Sequence, residues 1–172
     1  MKRLLSLCCM LFSSTLLAQT PEANLKKLNL VLPPVSAPMA NYVRAVQTGN
    51  LVFLAGHGPT RADGSSITGK VGADLTVEEG YEAAKVTALS LLATLRQAIG
   101  SLDKVKRIVK VNGYVNCGPD FTQQPRVING CSDVLVAVFG EKGKHARAAM
   151  GMVALPNNIA VEIEMIVEVE PD

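Results

Sequence analysis

ARAAMGMVALPNNIAVEIEMIVEV, residues 146–169, decides the fold. Its second half alternates with period two. Val161, Ile163, Met165, Val167 and Val169 fall on one face; Glu162, Glu164 and Glu168 fall on the other, with Glu170 beyond and only Ile166 interrupting. Successive strand side chains point to opposite faces, so residues 160–169 are expected to form a strand with one face on a core and one more polar. Residues 146–155 read as a second strand, and here neither face is polar. Arg147, Ala149, Gly151, Val153 and Leu155 share one side; Ala148, Met150, Met152 and Ala154 share the other. A sheet with Met, Val and Leu on its far side calls for subunit association, which predicts a homo-oligomer. Within this strand Arg147 is a permanent cation set among small side chains. It is either a surface strand end or an anion clamp with room for a ligand beside it.

Working outward, NYVRAVQTGNLVFLAGHGP (41–59) reads as two strands around a turn at Thr48, Gly49 and Asn50. PEANLKKLNL (21–30) suits one or two helical turns before Pro33 and Pro34. RADGSSITGKVGAD (61–74) is a loop with a short extended piece at Lys70 and Val71. Thr76 and Glu79 form a capping box, followed by Val77, Tyr81, Ala84, Ala88, Leu91, Leu92, Leu95 and Ile99 at helical spacing, with Gly100 as the stop. VKRIVKVNGYVN (105–116) is a strand, with Val105, Val109, Val111 and Val115 assigned to one face. A second long helix is expected over 122–139, Pro125 being tolerated in its first turns and Gly140 ending it. The order ββ–α–β–α–ββ predicts an α+β fold, a mixed sheet with two helices packed on one face.

Ahead of this domain, Lys2 and Arg3 precede the apolar run LLSLCCMLF and a small residue at Ala18. That layout is a secretory leader, too short for a stable membrane anchor. The expectation is cleavage near Ala18 and export, to a periplasm or beyond. Removing 18 of 172 residues leaves 154, enough for one domain, assigned to 22–169. The chain has 17 Lys and Arg against 15 Asp and Glu; losing Lys2 and Arg3 leaves 15 of each sign. A neutral mature chain without Trp and with 4% aromatic residues offers no basic groove or stacking platform for nucleic acid. The cluster Lys104, Lys106, Arg107 and Lys110 reads as a solvated strand edge. Cys117 and Cys131 read as free buried thiols, with pairing in an oxidising compartment as the alternative. His57 and His145 stand in no metal-ligand spacing with cysteine or with each other, so no metal is expected.

Three stretches resemble one family. SAPMANYVRAVQTGNLVFLAGHGP (36–59) is similar to its N-terminal hairpin, and ARAAMGMVALPNNIAVEIEMIVEV (146–169) to its C-terminal signature of Arg, small residues, Leu-Pro and a Glu-rich strand. Between them GADLTVEEGYEAA and VKRIVKVNGYVN match its first helix and third strand. The chain thus resembles the RidA/YjgF family over residues 22–169. The resemblance implies a chorismate-mutase-like fold and a homotrimer with clefts at the subunit boundaries. It also implies hydrolysis of enamines and imines of the 2-aminoacrylate type to a 2-keto acid and ammonia, without cofactor.

Residue by residue, the resemblance implies that Arg147 binds the substrate carboxylate and that Glu162 positions or activates water. A planar guanidinium grips a carboxylate through parallel charge-assisted hydrogen bonds, and a carboxylate near an imine can shuttle a proton. Without the resemblance, Arg147 is equally a structural ion-pair partner and Glu162 one more exposed acid in the alternating row. Tyr42 matches an aromatic near the family pocket, and Gly56 a glycine whose backbone approaches the ligand. His57, where family members often carry Gln, is either an acid–base group or a loop residue. Asn116 and Asn129 are further candidates to line the cleft, and Arg147 is expected to face Glu162 on the next strand. Two departures bear on turnover: Ala55 stands where many family deaminases have a hydroxyl, and Ala149, in the substrate-binding set, where they commonly have Cys. They leave a non-catalytic trimeric binding protein for small carboxylate metabolites as the alternative function.

Overall fold

The computed structural model describes residues 20–171 except 36 and 39; the expected leader, residues 1–18, lies outside the described residues. Its centre is the strand read above as the most regular. β1 (Ala45–Thr48) and β2 (Leu51–His57) form a hairpin, followed in chain order by β3 (Val105–Asn116), β4 (Ala146–Met152) and β5 (Val161–Val169). They make one mixed sheet in the order β1-β2-β5-β3-β4, antiparallel except for the parallel β3–β4 pair. β5 is therefore central, hydrogen-bonded on both sides, while β4 lies at the sheet edge. Val161, Ile163, Met165, Val167 and Val169 are buried, and the glutamates between them are half-buried, as period two requires.

Three helices accompany the sheet: α1 (Pro21–Lys27), α2 (Val77–Ile99) and α3 (Gln124–Phe139). α1 is the short helix expected there. At the start of α2 the capping box closes on both sides: Glu79 N donates to Thr76 Oγ1 at 3.1 Å, and Thr76 N donates to Glu79 Oε2 at 2.7 Å. Gly100 ends α2 at φ 85°, a conformation that favours glycine. The two long helices pack against each other and on the same sheet face. Their closest approach is at Gly130, where an added Cβ would lie 2.1 Å from the Tyr81 carbonyl oxygen. That contact explains why Tyr81 departs from the expected buried stripe. It is half-buried beside α3, and its hydroxyl donates to Asp133 Oδ2 at 2.8 Å. The second long helix begins two residues later than expected, at Gln124, with Pro125 in its first turn.

Two further corrections concern the strands. Register shifts between Val105 and Arg107 and between Ile108 and Lys110 break the simple alternation of β3. Ile108 is consequently fully buried and Val109 is not, so Val109 leaves the core face assigned to it. β4 is also shorter than expected, ending at Met152, with Leu155 leading into a 3-10 turn over Pro156–Asn158. Asn157 and Asn158 both take positive φ there, a conformation asparagine tolerates better than most residues.

The core lies between the sheet and α2/α3, and contains Leu91, Leu92, Leu95, Ile128, Leu135, Ile163 and Met165. Each such fully buried side chain is worth roughly 1.5–3 kcal/mol relative to exposure. Cys117 and Cys131 are free and buried, and burial pushes the Cys131 thiol up to about 12. The opposite sheet face keeps Val46, Phe53, Met150 and Met152 exposed, the apolar surface anticipated for an associating chain. No helix among the described residues is long and apolar enough to cross a membrane.

Candidate functional site

The antiparallel pairing of β2 with β5 is interrupted once. Leu54 pairs with Met165 and His57 with Ile163, so Ala55 and Gly56 together oppose Glu164. This bulge turns the end of β2 away from regular pairing and opens a cleft there. The cleft, about 510 Å³, is lined by Tyr42, Arg44, Gly56, His57, Arg61 and Glu162 together with neighbouring loop and α2 residues. Four residues picked from the sequence, Tyr42, Gly56, His57 and Glu162, are thus brought together.

Glu162 enters the cleft directly over the backbone of Gly56. A Cβ at position 56 would stand 2.1 Å from Glu162 Oε1 and 2.9 Å from its Cδ. Glycine therefore seats the carboxylate here. Burial, and secondarily the charge of Glu164, raises the Glu162 pKa above the ordinary carboxylate value. A carboxylate so placed holds its proton more tightly and is a better proton acceptor when ionised.

His57 is a buried wall residue. One ring nitrogen, Nδ1, lies 2.7 Å from the Ala55 carbonyl oxygen, which can only accept; Nε2 lies 2.8 Å from Thr94 Oγ1 on α2. Nδ1 therefore carries the proton and Nε2 accepts from the Thr94 hydroxyl. Burial lowers the His57 pKa, and the Arg44 charge adds to this against the opposing bond to Ala55. Nδ1 thus ties the ring back onto β2 itself, and Nε2 joins it to α2.

Arg147 and Ala149 lie elsewhere. β3 stands between β4 and β5, so the expected facing of Arg147 and Glu162 on adjacent strands is corrected. Arg147 pairs in register with Val111, which is buried under the helices, whereas Glu162 pairs with Tyr114, three residues further along β3. The odd offset puts the two functional candidates on opposite sheet faces within one chain. Arg147 Nη1 donates to Asn129 Oδ1 and to Ser132 Oγ of α3, each at 2.9 Å. Ala149 packs against the core at its margin. Asn129 thus joins Arg147, whereas Asn116 is fully buried, receiving Lys70 Nζ on its Oδ1 at 2.9 Å and donating to Asn158 Oδ1 at 2.9 Å. Sequence reasoning missed Ser132, Arg44 and Arg61, which carry no motif; only folding brings them to these places.

A carboxylate cleft and a guanidinium cluster on such a sheet narrow the comparison with known proteins. Residues 22–169 match the model of a family described as "YjgF/chorismate_mutase-like, putative endoribonuclease". The chain belongs to the YjgF family. Among YjgF relatives, Protein TCP17 of Trypanosoma cruzi is 46% identical over 147 residues, covering 85% of this chain and 92% of the relative. The 2-iminobutanoate/2-iminopropanoate deaminase of Dermatophagoides farinae is 30% identical over 139 residues, covering 80% and 93%. The crystal structure of the protein Atu1372 from Agrobacterium tumefaciens superposes with a TM-score of 0.80 at 41% identity, covering 87% of this chain and 92% of that one. The YjgF fold inferred from the C-terminal signature is thereby established, and a RidA-type function is supported in general terms by the deaminase relative.

Proposed function

We propose that the protein hydrolyses small enamines and imines bearing a carboxylate, of the 2-aminoacrylate type, to a 2-keto acid and ammonia. The observation that carries this reading is the Glu162 carboxylate seated on Gly56, half-buried in a cleft and with its pKa raised. The likeness to an imine deaminase supports the reaction class.

In the proposed reaction the enamine first becomes its imine tautomer. Glu162 accepts a proton from water as the oxygen attacks the imine carbon, and the proton passes to nitrogen. The carbon–nitrogen bond then breaks, the hydroxyl oxygen becomes the keto oxygen and ammonia leaves, one water being consumed. Arg147 holds the carboxylate through the guanidinium edge that Asn129 and Ser132 leave open. Because Arg147 and Glu162 occupy opposite sheet faces of one chain, the complete site is built in a homotrimer, the Arg147 edge of one subunit meeting the Glu162 cleft of the next. The exposed Val46, Phe53, Met150 and Met152 supply the apolar surface for that association. The protein works outside the cytoplasm after loss of residues 1–18, and sequencing the mature N-terminus is expected to place the start beside Ala18.

The test is ammonia and pyruvate release from freshly generated 2-aminoacrylate. Acceleration that disappears in Arg147→Ala and Glu162→Gln supports the reading. No acceleration over buffer by folded protein overturns it. One observation favours a second reading, a non-catalytic carboxylate-binding trimer: Ala149 offers no polar side-chain atom near Arg147. Saturable pyruvate binding that needs Arg147, without turnover, would establish that alternative.

A further inference from the structure

A chain of hydrogen bonds behind Arg147 is unused by the proposed chemistry. Arg147 Nη1 donates to Ser132 Oγ at 2.9 Å, and Ser132 Oγ lies 3.1 Å from His145 Nε2. His145 Nδ1 in turn lies 2.7 Å from the Gly143 carbonyl oxygen. The polarity of this chain follows from its two ends. A guanidinium can only donate and a carbonyl can only accept, so Nδ1 carries the imidazole proton and Nε2 presents a lone pair to the Ser132 hydroxyl. Ser132 is left accepting from Arg147. Each link thus orients the next.

The anchor is rigid. A Cβ on Gly143 would stand 2.3 Å from the Leu135 carbonyl oxygen, so this glycine presses its backbone directly onto α3. Asn129, one helical turn from Ser132, takes a second bond from the same Nη1. Both restraints fall on Nη1 of an exposed guanidinium, and among the described residues Nη2 and Nε take no side-chain partner. Burial and the Arg147 charge lower the His145 pKa, which keeps Nε2 available as an acceptor near neutral pH.

We infer that Ser132 and His145 are positioning residues for Arg147, fixing one edge of its guanidinium so that the other meets a carboxylate ready-oriented. This rests on the reading of Arg147 as the carboxylate clamp. Without the tether, a long exposed side chain must be ordered by the ligand itself, and affinity falls accordingly.

The test is calorimetric titration of pyruvate, the keto-acid product, into wild-type protein, Arg147→Ala, Ser132→Ala, His145→Ala and Ser132→Thr. Arg147→Ala is expected to abolish binding. Ser132→Ala and His145→Ala should each weaken it about five- to tenfold, and Ser132→Thr, which keeps the hydroxyl, should restore it. Where turnover is measured, KM rises in the two alanine variants while kcat holds within about twofold; a merely structural role would lower both the melting temperature and kcat, without rescue by threonine. Wild-type affinity in both alanine variants, with Arg147→Ala inactive in binding, overturns the inference and leaves the clamp standing. Equal binding by wild type and Arg147→Ala, or none by either, overturns the clamp and the inference with it.

Discussion

Replacing Gly56 with alanine separates the chemistry of the cleft from the stability of the fold. The backbone at Gly56 does not have a positive φ, so alanine fits the local conformation without strain. The new methyl group, however, would sit 2.1 Å from Glu162 Oε1, where ordinary contact begins at 3.4 Å. The carboxylate must therefore retreat by about 1.3 Å, as judged from those two distances. What yields is the far end of a flexible, half-buried side chain, so the fold should lose no more than ~1 kcal/mol, a shift of roughly 2–4 °C in a chain of this size. Displacing a catalytic group by ~1 Å can lower a rate about 10²-fold. Gly56→Ala should thus cut kcat for 2-aminoacrylate hydrolysis about 100-fold. Calorimetric melting should stay near wild type. Glu162→Gln should lose a comparable amount, and the double variant no more than the worse single one, because both act through one carboxylate. Wild-type kcat in Gly56→Ala would refute this account of the site, and so would a loss that tracks an equally large fall in melting temperature.

Three other outcomes follow from the same structure. Gly130→Ala, which on helix propensity alone would stabilise α3 by about 1 kcal/mol, should instead cost about 2–3 kcal/mol in urea unfolding, because its methyl group would meet the Tyr81 carbonyl oxygen at 2.1 Å. Burial, and secondarily the charge of Glu164, raises the folded-state pKa of Glu162 above its ordinary value of 4.5. The folded chain therefore binds this proton more tightly than the unfolded one, and stability declines as pH rises from about 4.5 through the folded value. Urea midpoints across pH should show Glu162→Gln matching wild type below that window and exceeding it above. Phe53→Asp, which places a charge on the exposed apolar sheet face, should convert the expected trimer to monomers in light scattering; an unchanged mass would move the interface elsewhere.

The fold was legible where a residue's neighbours along the chain determine its environment. Thr76 and Glu79 announce a helix start because the capping bonds are three residues apart, and both bonds are present. The alternation in residues 161–169 names the central strand because both of its faces are set by period two. Legibility failed where spacing is interrupted. Two register shifts in β3 exchange Val109 for Ile108 on the core face, and nothing in a run of valine, isoleucine and lysine marks where a strand will bulge. Tyr81 leaves the helical stripe because the glycine packed against its backbone, Gly130, lies 49 positions away in another helix.

The candidate site could be read from the sequence only as a list of residue types and not as an arrangement, for the same reason. Arg147 and Glu162 look adjacent in a linear reading because a single turn separates their strands. Yet the chain inserts β3 between them and the pairing register offsets them by an odd number. One chain therefore offers a carboxylate cleft on one side of its sheet and a tethered guanidinium at the margin of the other. Each half has its own supports: Gly56 under Glu162, and Asn129 and Ser132 behind Arg147. The pair proposed as catalytic, so divided, cannot act on one small substrate within a monomer. Activity is therefore expected to require association, and Phe53→Asp monomers should lose turnover while the side chains of Arg147 and Glu162 are still present. Mixing inactive Arg147→Ala with inactive Glu162→Gln subunits sharpens the point, because random trimers bring wild-type Arg147 beside wild-type Glu162 at some interfaces. Recovery of activity on mixing requires a site shared between subunits. Its absence, in trimers shown to have exchanged, would place both residues in one chain's site and refute the division.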